Sequence, residues 1–155
     1  MPGVTVALPD ADATELLGRR LAGLLLRGDL VLLTGDLGAG KTTLTRGIGA
    51  GLGVRGPVTS PTFVVAREHP SLVGGPDLVH VDLYRVGDAA EIDDLDLASS
   101  DAVTVVEWGA GRAEHLADSR LEIVLEQAPG DRRVATVRAV GRRWQDVALD
   151  TLSAP

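Results

Sequence analysis

Residues 34–43 read T-G-D-L-G-A-G-K-T-T, and they contain the only lysine of a 155-residue chain that otherwise uses arginine for its cations. Before this stretch, D-L-V-L-L-T from Asp29 places apolar residues on consecutive positions, as in a parallel-sheet strand covered on both faces. After it, Leu44, Ile48 and Leu52 recur every four residues, the spacing of one apolar helix face. Strand, glycine loop, helix is therefore the local order. Gly47, Gly49 and Gly51 each weaken that helix by roughly 1 kcal/mol relative to alanine, so the sequence defines its start better than its end.

Residues Gly35-Asp36-Leu37-Gly38-Ala39-Gly40-Lys41-Thr42 fit G-x-x-x-x-G-K-[ST] without a mismatch. Glycines let the backbone wrap closely, so that several N–H groups can face phosphate oxygens. The helix start adds favourable potential for an anion, typically ~0.3–1 kcal/mol. Lys41 is a compact charge on a flexible stem, suited to follow β- and γ-phosphates where arginine's planar fork fits poorly. The candidate nucleotide-binding set is thus Gly35, Asp36, Leu37, Gly38, Ala39, Gly40, Lys41, Thr42 and Thr43.

Thr42 would offer a hydroxyl to Mg²⁺, which also needs a carboxylate, waters and phosphate oxygens. Such a carboxylate belongs where a buried strand ends beside the loop. Asp82 after L-V-H-V and Glu107 after V-T-V-V both qualify, and either could also be an ordinary strand-end acid. A Ras-type guanine reader needs N-K-x-D; the chain has no asparagine and its lysine is already committed, so ATP is the expected nucleotide. His69, His80 and His115 have no metal-ligand spacing. His80 reads as a packed, hydrogen-bonded side chain on the same side of its strand as Asp82 and Tyr84.

Working outward, Val4–Leu8 alternates as a strand, and Asp12 with Glu15 suggests a capping box. Leu17, Leu21 and Leu24 continue a helix with Gly28 as its stop. F-V-V-A-R-E-H, L-V-H-V-D-L-Y and V-T-V-V-E read as strands, and the acidic A-A-E-I-D-D-L-D-L as a helix. R-L-E-I-V-L-E and R-V-A-T-V-R-A-V flank A-P-G-D as a hairpin. Trp144, Val147 or Ala148, and Leu152 share a helical face in the tail. Alternating strands and helices predict an α/β fold: a three-layer P-loop NTPase-like sandwich, its central sheet mostly parallel, with antiparallel edge strands and helices on both faces. One domain spanning 1–155 is expected from the length.

Net charge is −7, and no basic block supplies the surface that nucleic-acid binding requires. The pairs Arg19-Arg20, Arg132-Arg133 and Arg142-Arg143 read as solvated surface. Absence of cysteine excludes disulfides and thiolate metal sites. No stretch reads as a signal peptide or a membrane span, so a cytoplasmic protein is expected.

Four motifs and a fifth short one then combine: L-P-D-x-x-A-T near the start, G-D-L-G-A-G-K-T-T-L-T-R-G, S-P-T-F at Ser60–Phe63, H-V-D-L-Y-R at His80–Arg85, and V-E-W at Val106–Trp108. In this order and spacing, over roughly residues 5–140, the chain resembles the TsaE (YjeE) family of small bacterial ATPases. The P-loop alone is widespread; the last three motifs together are far more specific. The resemblance implies an ATPase with Mg²⁺ that assists threonylcarbamoyladenosine synthesis in tRNAs reading codons that begin with A. It would act with the TsaD–TsaB pair and touch tRNA only indirectly. By the same resemblance, Lys41, Asp82 and Glu107 are catalytic, with Asp82 orienting or activating water, and Thr42 and Glu107 ligate Mg²⁺. Ser60 and Thr62 belong to a switch-like loop, and Asp10, Ala11 and Arg132 contribute nucleotide contacts. Gly109 and Ala110 depart from the acidic or polar residue that often follows E-W in the family. The competing readings are a small-molecule P-loop kinase and a non-catalytic ATP-sensing module. Phosphate released to water, as opposed to transfer onto an acceptor, separates the first; function retained without hydrolysis would favour the second.

Overall fold

The computed structural model describes residues 3–36, 38–56, 58, 66–83, 101–108, 114 and 117–153. Its strands are β1 (Gly3–Leu8), β2 (Leu30–Thr34), β3 (Ala66–His69), β4 (Asp77–Asp82), β5 (Ala102–Glu107), β6 (Arg120–Gln127) and β7 (Arg133–Val140), with helices α1 (Ala11–Ala22) and α2 (Lys41–Leu52). The strands form one sheet in the order β1-β7-β6-β2-β5-β4-β3. β6, β2, β5 and β4 run parallel to their neighbours in the centre, whereas β1, β7 and β3 join antiparallel toward the edges. The mostly parallel sheet with antiparallel edges is the one expected from the sequence.

Burial explains the apolar runs. All six residues of β5 are buried, as are Leu30–Leu33 of β2, because the sheet is covered on both faces there. Val31, Leu33, Val105, Leu121 and Ile123 pack with Leu17, Leu21, Leu44 and Ile48 of the two helices. Leu30, Leu32, Val81, Leu83 and Val106 form a separate cluster on the opposite face. The acidic segment expected to be helical lies outside the described residues, as do the S-P-T-F loop, Tyr84 and Arg85.

Several local expectations change. The cap of α1 is Asp10, whose carboxylate accepts from Ala13 N at 2.8 Å, and not Asp12. The same three-residue offset serves either aspartate, but the chain bends extended at Asp10. α1 ends at Ala22, and Gly28 instead turns into β2 with φ +89°. α2 runs intact to Leu52 and stops at Gly53 with φ +76°. Its glycines are there for contact: a Cβ on Gly47 would lie 2.1 Å from Glu15 O, and one on Gly51 2.6 Å from Ala22 Cβ. Gly18 meets α2 in the same way, 2.3 Å from Leu44 O. The tail forms two short 3₁₀ turns, Arg142–Trp144 and Leu149–Ser153, burying Trp144, Leu149 and Leu152. Arg143 is not solvated surface: it grips the buried Asp29 with two bonds, at 3.1 and 3.0 Å. Among the described residues no helix is long and apolar enough to cross a membrane.

Candidate functional site

The parallel register brings the site together. Leu33 and Asp82 are both paired with Glu107, so β2, β4 and β5 end side by side where the glycine loop leaves the sheet. The two carboxylates that sequence offered as alternatives therefore stand as neighbours. Gly38 and Gly40 turn the loop with φ of +82° and +102°, backbone regions an L side chain resists. Gly35 lets it leave close to β6, where a Cβ would fall 2.8 Å from Leu125 O. α2 begins at Gly40 without a side-chain cap, and the first turn of a helix has N–H groups with no intrahelical acceptor.

Lys41 is 5% exposed, and its Nζ donates to Gly35 O at 2.6 Å. The same ammonium lies 4.0 Å from Glu107 Oε1 and 3.8 Å from the centre of the Trp108 ring. Burial pushes the lysine below its ordinary pKa, while Glu107, Asp82 and Asp36 oppose that shift. Trp108 takes φ +64°, the only positive φ of a non-glycine among the described residues. A bulky residue held there is strained, and its ring lies over Lys41. Glu107 is 3% exposed and accepts from His80 Nε2 at 2.5 Å. Two neighbours thus offset a buried carboxylate that would otherwise cost several kcal/mol.

Gly38, Gly40, Lys41, Thr42, Thr43, Asp82, Glu107 and Trp108 line one cleft of about 300 Å³. A second, of about 490 Å³, shares Gly38, Gly40 and Thr43 and adds Asp10, Ala11, Asp12, Thr14, Asp131 and Arg133. Ala11 thus borders the same cleft as Gly38, Gly40 and Thr43. Arg132 does not line the cleft; the neighbouring Arg133 does, donating to Ala39 O and Gly38 O, each at 3.2 Å. Sequence reasoning missed Arg133 because the register that sets it, as the first residue of β7, against the loop was unknown. It assigned no role to Trp108, whose contact with Lys41 depends on a backbone twist that spacing does not reveal. Leu37, Ser60 and Thr62 lie outside the described residues.

The donors available to a metal are oxygens: the Thr42 hydroxyl and the Asp82 and Glu107 carboxylates. That set fits a hard cation such as Mg²⁺. Among the described residues no three His, Cys, Asp or Glu side chains gather on one point.

A glycine loop joining a buried parallel strand to an uncapped helix, with lysine and two strand-end carboxylates beside it, defines a P-loop NTPase-like α/β protein. The crystal structure of Bacillus subtilis YdiB superposes with TM-score 0.77 at 32% identity, covering 98% of this chain and 95% of that one. The family model described as "Threonylcarbamoyl adenosine biosynthesis protein TsaE" matches residues 8–135. The tRNA threonylcarbamoyladenosine biosynthesis protein TsaE of Streptomyces coelicolor is 58% identical over 144 residues, 88% of this chain and 97% of that protein. The protein of the same name from Bacillus subtilis is 39% identical over 135 residues, 86% of this chain and 84% of its own. The chain belongs to the TsaE family, whose role is in tRNA threonylcarbamoyladenosine biosynthesis.

Proposed function

We propose that this protein binds ATP with Mg²⁺ and hydrolyses it slowly, as a cytoplasmic accessory to a TsaD–TsaB-type pair that modifies A37 of tRNAs reading codons that begin with A. The observation that carries the reading is the convergence of Lys41, Thr42, Asp82 and Glu107 on one cleft at the open start of α2. The loop N–H groups and Lys41 receive the β- and γ-phosphates; Lys41 is already desolvated, which strengthens its pull on an anion. Thr42 and Glu107 would hold Mg²⁺, which when bound neutralises charge developing on the phosphate oxygens. Asp82, at the end of the adjoining strand, accepts a hydrogen bond from the attacking water and orients it. Trp108 walls off one side of Lys41 from solvent. The wider cleft beside Asp10, Ala11 and Arg133 takes the nucleoside end.

Slow turnover follows from the few cations that the described residues bring to the phosphates. Among the described residues Lys41 is the one cation lining the phosphate cleft, and Arg133 spends Nε and Nη2 on loop carbonyls. A further cation on the developing charge typically gains ~10³–10⁵ in rate; Arg85 in cis, which lies outside the described residues, or a partner would supply it. The acidic chain, at −7, leaves tRNA binding to that partner. The deciding experiment measures phosphate release and tRNA modification with and without the TsaD–TsaB pair. Slow release alone and faster release in the complex support the reading. Rapid turnover by the isolated protein that partners do not alter, or phosphate transferred to a small acceptor, would contradict it.

A further inference from the structure

His80 is 0% exposed and Glu107 3% exposed, so their hydrogen bond lies inside the carboxyl edge of the sheet. The imidazole Nε2–H donates to Glu107 Oε2 at 2.5 Å, while Oε1 lies 4.0 Å from Lys41 Nζ. The two oxygens of one carboxylate thus have different neighbours. One is tied to the core and the other faces the loop.

The strand register produces this division. Asp82 pairs with Glu107 and His80 pairs with Val105, so His80 sits one pleat back from the strand end, on the same side of β4 as Asp82. The other ring nitrogen, Nδ1, is buried and has no hydrogen-bond partner among the described residues. Leaving a buried polar atom unsatisfied is unfavourable, so packing alone does not explain a histidine at this position. Its bond to Glu107 does.

We propose that His80 is a positioning residue for Glu107, tethering Oε2 so that Oε1 is presented to Mg²⁺ and held off Lys41. The inference rests on the metal reading of Glu107 given above. Without the tether, the buried carboxylate already has an ammonium within 4.0 Å, and their attraction is strong in a dry site. A closed Glu107–Lys41 pair would occupy the metal ligand and the phosphate-gripping cation together. Hydrogen-bonded partners of metal-ligating groups are known to matter on this scale, their loss typically costing about 10–100-fold in metal affinity.

The test measures ATP affinity of the full chain by calorimetry, in EDTA and across a Mg²⁺ titration, for wild type, His80→Leu, His80→Gln and His80→Asn. In His80→Leu the Mg²⁺ concentration giving half-maximal enhancement of ATP binding should rise about 10–100-fold, with a smaller change in the metal-free affinity. His80→Gln, whose amide nitrogen can stand where Nε2 stands, should recover most of the loss, and the shorter His80→Asn should not. If His80→Leu does not fold, the contrast between Gln and Asn carries the same test. Equal Mg²⁺ dependence in wild type and His80→Leu, or in the Gln and Asn variants, would overturn the proposal. A wild type that binds ATP without regard to Mg²⁺ would overturn the metal reading first and this inference with it.

Discussion

α1 and α2 are both 12 residues long and pack against each other through glycines, yet they begin in opposite ways. α1 completes its own ends. Asp10 caps its first turn, Asp12 adds negative charge there, and Arg19 and Arg20 stand in its last turn. α2 starts at a left-handed glycine, has no side-chain cap, and carries neither an acid in its first turn nor a base in its last. Both starts border the same cleft. A helix start capped by its own side chain has its N–H groups partly satisfied from within the chain; one left uncapped keeps them for an anion.

The strongest way to break the contrast is Lys41→Ala, which removes the cation at the start of α2. ATP affinity measured by calorimetry should fall on the order of a hundredfold or more, and an unchanged affinity would place the phosphates elsewhere. Next in size is Gly47→Ala, at the seam between the helices. Alanine gains about 1 kcal/mol of helix propensity, but its Cβ would meet a backbone carbonyl at 2.1 Å. The contact wins, and chemical unfolding should report a net loss of about 2 kcal/mol. Asp10→Ala should cost about 1 kcal/mol by the loss of a cap, seen in the same unfolding assay. No loss there would mean that α1 does not depend on its cap.

The smallest effect concerns His69, away from both helix starts. Burial holds its pKa below the ordinary histidine range, and its Nδ1–H donates to Arg55 O at 3.3 Å. On acidification the unfolded chain therefore takes up this proton first. The contribution is intact above the unfolded pKa of about 6.5 and is lost as pH falls from there toward the lower folded value. Unfolding curves at stepwise lower pH should lose less stability in His69→Gln than in wild type; parallel losses would show that His69 is not responsible.

Much of this was legible before the fold was known, because it rests on local rules. Leu44, Ile48 and Leu52 mark the buried face of α2 by spacing alone, and the apolar runs of β2 and β5 announce strands with both faces covered. The loop declared its glycines and Lys41 outright. Features that depend on register or contact were not legible. Gly47 and Gly51 read as weak points because propensity counts a missing side chain, whereas the neighbouring helix needs that space. Arg132 and Arg133 are adjacent in sequence, but only the second turns toward the loop. Asp82 and Glu107 each read as a strand-end acid, but that they stand side by side is a matter of parallel register. The His80–Glu107 bond spans 27 residues of sequence, and no periodicity announces it.

The contrast between the two helices meets its most direct test in displacement of ATP by Mg²⁺-tripolyphosphate, which carries the phosphate chain without the nucleoside. If the phosphates sit on the open start of α2 beside Lys41, tripolyphosphate displaces ATP from the wild type and from Asp10→Ala alike, and its own binding is lost in Lys41→Ala. Failure to displace ATP at saturating tripolyphosphate, or displacement that survives Lys41→Ala undiminished, would contradict the account.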